Sequence, residues 1–245
     1  MSLMQGDTSE ATKARQAFLS RVGLSDTKLR LIRPSHSPNL ELYDESETQI
    51  IRTIYKTPAL VQTDLDFYED GCDGLLTFDP KVTVGLLSAD CVPLIVWASA
   101  THFHGILHIG LLGALNNMVQ SLTSLYEDHS ISTTSTYYYL GPSISVDDYN
   151  LSGSDFWATI RTNTLSSTPE VQEFIEQRGD KEFFDVHRMI HAQLKSIGVP
   201  SQNIQSYNSS TASTTSLFFS NYVDRPHGVR RRFMSAVGYA DALSP

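Results

Sequence analysis

The sequence predicts an α+β fold: a mixed β-sheet core with flanking helices, folded as a single compact domain over residues 1–245. Three observations predict it. Strand-sized apolar runs and amphipathic helical stretches both occur along the chain. They mix without strict strand–helix–strand alternation, which favours a mixed sheet over a doubly wound one. No internal repeat or linker divides the 245 residues, a length that buries one sizeable core.

The elements follow in order. Residues 8–22 read as a helix, with Ala11, Ala14, Phe18 and Val22 at helical spacing and Asp7 or Thr8 as cap. Residues 28–32 form a short strand leading to Arg33-Pro34-Ser35-His36, and 40–43 alternate apolar and polar as a strand does. Residues 49–62 fit neither template. The apolar run 82–87 ends at Ser88-Ala89-Asp90-Cys91, and 92–97 continues it, broken by Pro93. Residues 103–108 are another strand, after which Gly110 and Gly113 permit a tight turn. Residues 114–126 form an amphipathic helix burying Leu115, Met118, Val119, Leu122 and Leu125. Residues 137–140 are a strand ending in Gly141-Pro142. Segments 168–177 and 183–196 read as helices, the second closed by Gly198, and 216–220 and 232–239 as late strands. The Ser/Thr-rich stretches 130–136 and 208–216 read as surface loop or polar strand.

Composition narrows the function. The net charge is −9, and Arg230-Arg231-Arg232 is too short a basic cluster to suit a nucleic-acid binder. No run of 18 apolar residues is present, so no transmembrane span is expected. The N-terminal MSLMQGDTSE lacks a basic segment followed by an apolar one, so no signal peptide is expected either. Two cysteines, Cys72 and Cys91, do not make a disulfide framework. A cytoplasmic protein is the expectation.

The chemistry centres on Cys91 and His108. Singly, each reads as core: a small buried hydrophobe and a histidine ending a strand. Together they lie at the same edge of two sequential strands, which are often neighbours in space. Thiolate and imidazole suit Zn²⁺, and a catalytic zinc takes three protein ligands and leaves a fourth position open. The third ligand is open at this level, with His36, His102 and His104 as candidates. Other motifs are set aside. His187 and His191 have HxxxH spacing without the Glu of HExxH, and are expected on an ordinary exposed helix face. One His102-Phe103-His104 pair among eight histidines is too few for a three-copper oxidase site. Gly71-Cys72-Asp73-Gly74 lacks the phosphate-loop pattern, and Cys72, beside Asp70 and Asp73, reads as structural.

Several segments carry a resemblance, in order and over most of the chain. They are LRLIRPSHSPNLELYD (29–44), DGLLTFDPKVTVGLLSADCVPLIVW (73–97), GILHIGLLGAL (105–115), YLGPSISVDDYNL (139–151), EFFDVHRMIHAQLKSIGV (182–199) and LFFSNYVDRPHGVR (217–230). The pair ADC-x-P and H-x-G is the most specific. The chain resembles the YfiH-like proteins, also known as laccase-domain or polyphenol-oxidoreductase proteins. The resemblance implies a YfiH-like fold and a zinc site made by His36, Cys91 and His108. It also implies phosphorolysis of adenosine, inosine and methylthioadenosine, with adenosine deamination as a side activity. Its partners would be a purine nucleoside and phosphate, with neither nucleic acid nor membrane; no motif sets an oligomeric state. The chain departs from the family pattern at several points. Leu111-Leu112 replaces Trp-Arg, Ser143 replaces a Cys, Tyr222 and Val223 stand for paired arginines, and a Cys-Thr near 208–212 becomes Ser/Thr. The His36–Cys91 spacing implies an insertion near 45–65. Asp90 is a candidate catalytic residue beside Cys91, as a proton shuttle or a group orienting the ligands. Arg33 and Arg230 are candidate anion contacts. The competing functions are a copper-dependent polyphenol oxidoreductase using the same three ligands, and a degenerate metal-binding homologue without turnover.

Overall fold

The computed structural model describes residues 9–24, 28–45, 50–56, 71–162 and 169–240. Its centre is a seven-stranded mixed sheet. In spatial order it runs β11 (Ile204–Ser206), β8 (Tyr137–Leu140), β6 (Val92–Ala98), β7 (Phe103–Ile109), β4 (Gly74–Thr77), β2 (Leu40–Glu45) and β3 (Ile50–Tyr55). The β11–β8 and β2–β4 pairs are parallel and the others antiparallel. A second sheet orders β1 (Leu29–Ile32), β5 (Thr83–Ser88) and β12 (Phe233–Val237).

The two sheet faces follow from alternation along the strands. Tyr43, Leu75 and Ile106 point one way and pack on Ile32, Val82, Val84 and Leu86 beside the small sheet. Leu42, Leu76, Leu94, Leu107 and Ile109 point the other way, into the larger core. That core is closed by α2 (Leu111–Leu115), α3 (Ser121–Asp128), α4 (Asp155–Ile160) and α5 (Val186–Ser196). Covered on both faces, β7 is buried at every residue, His104 and His108 included.

Most elements fall where the sequence puts them; the differences have local causes. The helix α1 (Ser9–Arg21) buries Leu19, while Phe18 and Val22 of the expected stripe are exposed. The proposed caps Asp7 and Thr8 lie outside the described residues, as do residues 57–62 of the unassigned segment and most of the expected insertion. The helix expected over 114–126 is broken at Asn116-Asn117, with Asn117 left-handed at φ 50. Asn tolerates that conformation and its side chain competes for backbone bonds. All five apolar residues of the expected stripe are buried nonetheless. Pro93 does not interrupt β6, because its carbonyl accepts from Gly141 N. A strand residue directs its N and O to the same side, so no bond to β7 is lost.

Residues 168–177 are not one helix. A 3₁₀ turn (Pro169–Phe174) leads into a hairpin of β9 (Ile175–Arg178) and β10 (Lys181–Phe184), turned by Gly179-Asp180 with Gly179 at φ 64. Helix α5 therefore starts at Val186, capped by Asp185 accepting from Arg188 N, and Gly198 closes it at φ 88. Residues 216–220 are turns and coil, with Leu217 and Phe218 N–H groups both donating to Thr214 O. No helix among the described residues is long and apolar enough to cross a membrane.

Candidate metal centre

Hairpin register brings the first two donors together. Val92 pairs with Ile109 across β6 and β7, so Cys91, just before β6, faces Gly110, just after β7. A Cβ built on Gly110 would lie 2.8 Å from Cys91 Sγ, so the glycine leaves the thiol its room. His108 is the penultimate residue of β7. The third donor, His36, sits on the loop from β1 to β2 at φ 61. One donor atom from each of His36, Cys91 and His108 lies within 4.8 Å of the others. Among the described residues this is the one such grouping of metal-ligating side chains.

Asp73 assembles the cluster. It lies just ahead of β4, and its main chain joins both loops: its N donates to Asn39 O, and its O accepts from His108 N at 2.6 Å. Its carboxylate is fully buried. Oδ1 accepts from His108 Nδ1 at 2.7 Å, and Oδ2 from Ser35 N (2.9 Å), Ser35 Oγ (2.8 Å) and Ser37 N (2.8 Å). The amides on either side of His36 thus converge on one oxygen, which holds His36 in its left-handed conformation. The bond to His108 Nδ1 leaves Nε2 for the cluster, the arrangement that orients a metal-ligating imidazole.

Electrostatics support the same assignment. Burial opposes ionisation of Asp73, but its hydrogen bond from His108, the charge on that ring and the Ser35 donors hold the carboxyl below its usual range. Burial likewise opposes a thiolate at Cys91. The His108 charge and hydrogen bonds from His108 and His36 overcome it and bring the thiol down to about 6. His108, with Cys91 and Asp73 against it, rises to about 10 despite burial. Without metal the pair is therefore thiolate and imidazolium, the proton occupying the place a cation would take. Two imidazoles and a thiolate make a donor set that fits zinc, and equally a copper ion.

The competing histidines are otherwise engaged. His104 is buried with both ring nitrogens on carbonyl oxygens, Val82 O at 2.8 Å and His102 O at 2.7 Å. His187 and His191 do not form an ordinary exposed face. Both are half-buried, with His187 bonded to Ser143 Oγ and His191 to Ser206 Oγ at 2.7 Å.

The cluster opens into a cavity of about 960 Å³. Leu111, Leu112, Leu151, Phe156 and Val186 give it apolar walls, and Tyr149 and Tyr222 pack edge to face at 6.5 Å. Burial, and then the charges of Cys91, Asp90 and Tyr222, push the Tyr149 hydroxyl up, so it keeps its proton. Asp90 also borders the cavity, left-handed at φ 82. Its Oδ1 accepts from Thr211 Oγ1 at 2.7 Å, its Oδ2 from Tyr222 N at 2.6 Å, and its carbonyl from Ile144 N at 2.9 Å. It thereby ties the Cys91 turn to three later segments.

Arg33, Arg225 and Arg230 are all exposed; of the three, Arg225, which the sequence did not single out, lines the cavity. Gly228, left-handed at φ 73, turns the chain between Arg225 and Arg230.

Gly110→Ala is expected to lower zinc affinity by about tenfold, the order seen when a ligand's support is disturbed. Gly110 itself has an extended backbone, so the methyl acts through Sγ alone. A chelator competition titration reads the affinity; unchanged binding would show that the thiol has slack.

Fold and site define a class: a mixed-sheet protein carrying a His–Cys–His donor cluster at the ends of two central strands, facing a cavity. The model of the family described as multi-copper polyphenol oxidoreductase laccase matches residues 1–240, and the chain belongs to that family. Among its relatives is a purine nucleoside phosphorylase of Staphylococcus saprophyticus, 28% identical over 180 residues, 72% of this chain and 64% of the relative. The match thus spans just under two thirds of that protein's length. A purine nucleoside phosphorylase of Staphylococcus epidermidis is 29% identical over 200 residues, 78% of this chain and 70% of the relative. The fold is that of YlmD from Geobacillus stearothermophilus, with TM-score 0.76, 21% identity and coverage of 98% and 84% of the two chains. YfiH of Bacillus licheniformis gives 0.71, 21%, and 93% and 80%. The relatives' names support an enzyme role at the level of the family.

Proposed function

We propose that this chain is a zinc-dependent purine nucleoside phosphorylase acting on adenosine, inosine and methylthioadenosine, with adenosine deamination as a side activity. The observation that carries the reading is the His36–Cys91–His108 cluster at the head of a cavity sized for a nucleoside. The catalytic unit is the single domain over residues 1–245, working in the reducing cytoplasm, where Cys72 and Cys91 stay reduced.

The three donors would hold the metal, which when bound supplies a Lewis acid and a water whose pKa lies near ~7. The remaining work falls to this chain's own residues. Tyr149 and Tyr222 offer aromatic faces and the leucines an apolar wall to a purine ring. In phosphorolysis the bond from the sugar C1′ to the purine nitrogen breaks, a phosphate oxygen bonds C1′, and the base leaves with the proton that the attacking phosphate gives up. Tyr149, which keeps its proton beside Cys91, donates a hydrogen bond to the departing base. Asp90 is a positioning residue, holding Tyr222 and the Cys91 turn together. Copper at the same ligands is the second reading, favoured by the family's description and by a donor set that suits either metal.

The test incubates metal-analysed protein with adenosine and inosine, with and without phosphate, and resolves products by chromatography. Free base formed only with phosphate is the expected result, and inosine from adenosine adds the deaminase arm. Oxygen uptake with a phenol, without base release, would favour the copper reading. No turnover from zinc-loaded protein would sink the purine reading.

A further inference from the structure

We propose that Arg225 forms a phosphate-oxyanion subsite in the cavity, relocated from the positions where the family pattern has paired arginines. The inference deepens the phosphorylase reading and rests on it for the reaction, though not for the binding. The resemblance aligns those arginines with Tyr222 and Val223, so a positive charge is missing there. Three residues beyond Tyr222 the structure supplies one. Arg225 borders the cavity with Asn221, Tyr222 and Pro226.

Its placement is built. The short helix α6 (Asn221–Asp224) is capped by Ser220 Oγ accepting from Val223 N, and Asp90 Oδ2 takes Tyr222 N at 2.6 Å. Asp90 adjoins Cys91, so the segment carrying Arg225 is bonded to the turn that carries a metal-ligating residue. The neighbouring acid does not neutralise Arg225. Asp224 is engaged by Arg231 through Nε at 3.1 Å and Nη2 at 2.8 Å. Asp90, the carboxylate among the residues lining the cavity, has its oxygens on Thr211 and Tyr222. Arg225 has no ion-pair or side-chain hydrogen-bond partner among the described residues. A fork of donors at the edge of an apolar-walled cavity suits a phosphate, which Arg binds in bidentate fashion. Asn150, Ser154 and Asn221 line the same cavity.

Phosphate chemistry reaches such a site from two sources, inorganic phosphate or a nucleoside 5′-phosphate, and the experiment separates them. Calorimetry measures inorganic phosphate, adenosine and adenosine 5′-monophosphate binding to zinc-loaded wild type, Arg225→Gln and Arg225→Lys. Arg33→Gln and Arg230→Gln serve as off-cavity controls. Arg225→Gln is expected to weaken phosphate binding about 10- to 100-fold with adenosine unchanged, Arg225→Lys less, and the controls not at all. The KM for phosphate should rise by the same factor while the KM for nucleoside holds. A loss confined to the monophosphate also supports the subsite and assigns its phosphate to a nucleotide. Unchanged binding of both by Arg225→Gln, absent binding of both by wild type, or equal losses in the controls would overturn it. Phosphate binding lost in Arg225→Gln without phosphorolysis by wild type would retain the subsite and reject the phosphorylase reading.

Discussion

Cys91→Ala is expected to lose metal binding by more than about 100-fold and to abolish turnover while the protein stays folded. One donor of three disappears, and disturbing even a ligand's supporting partner costs 10- to 100-fold. The fold should survive because Cys91 precedes β6 and borders a cavity, so its truncation opens no void inside the sheet. The thiolate also sets the pH dependence of loading. Without metal, His108 holds a proton up to about 10 and Cys91 has lost its own above about 6. Between those limits a bound metal displaces the His108 proton, so affinity should rise with pH, by about tenfold per unit from that proton alone. The sign is set by the ring: a raised imidazole pKa means that the proton competes harder as pH falls. Zinc titrations at several pH values on wild type and Cys91→Ala read both effects. Zinc held by Cys91→Ala with wild-type affinity would remove Cys91 from the site.

Legibility in the sequence followed the range of the interactions. Cys91 and His108 were readable because a hairpin brings the ends of sequential strands together. His36 was not separable by spacing from His102 and His104, because its place depends on Ser35 and Ser37 reaching Asp73, more than thirty residues on. Only the resemblance singled it out. Asp73 lies inside Gly71-Cys72-Asp73-Gly74, which lacks the phosphate-loop pattern, so motif matching gives it no role. The available signal was a carboxylate opening the apolar strand Gly74–Thr77, since a buried charge demands several partners. The hairpin 175–184 was missed because Phe174, Ile175, Phe183 and Phe184 fit a helical pattern as well as a strand one. Gly179-Asp180 was the turn signal to weigh. Surface arginines carry no periodicity, so nothing in the sequence ranked Arg225 above Arg33 and Arg230.

The second large effect belongs to Asp73, where charge and shape can be separated. Asp73→Ala leaves Ser35 N, Ser37 N and His108 Nδ1 buried without their acceptor, at a cost of about 3–5 kcal/mol. Asp73→Asn keeps the shape, and its one oxygen can still serve the serine amides. Its amide nitrogen then faces His108 Nδ1, and two donors cannot share that bond. The ring escapes by giving up its Nδ1 proton and keeping the one on Nε2, the nitrogen that faces the cluster. Asp73→Asn should therefore cost about 1.5–3 kcal/mol of stability, the worth of a charged hydrogen bond. Its zinc affinity should nevertheless fall about 10- to 100-fold. Acid titration gives an independent check. Asp73 has a depressed pKa, so its contribution is in force above the ordinary carboxyl value of 3.8 and is lost as pH falls below it. The stability gap between wild type and Asp73→Asn should be full near neutrality and close under acid. Denaturant melts at both pH values read the gap, and the ¹⁵N shifts of His108 read the tautomer. Wild-type zinc affinity in Asp73→Asn, with Nδ1 still protonated, would mean that the ring is oriented by something other than this carboxylate.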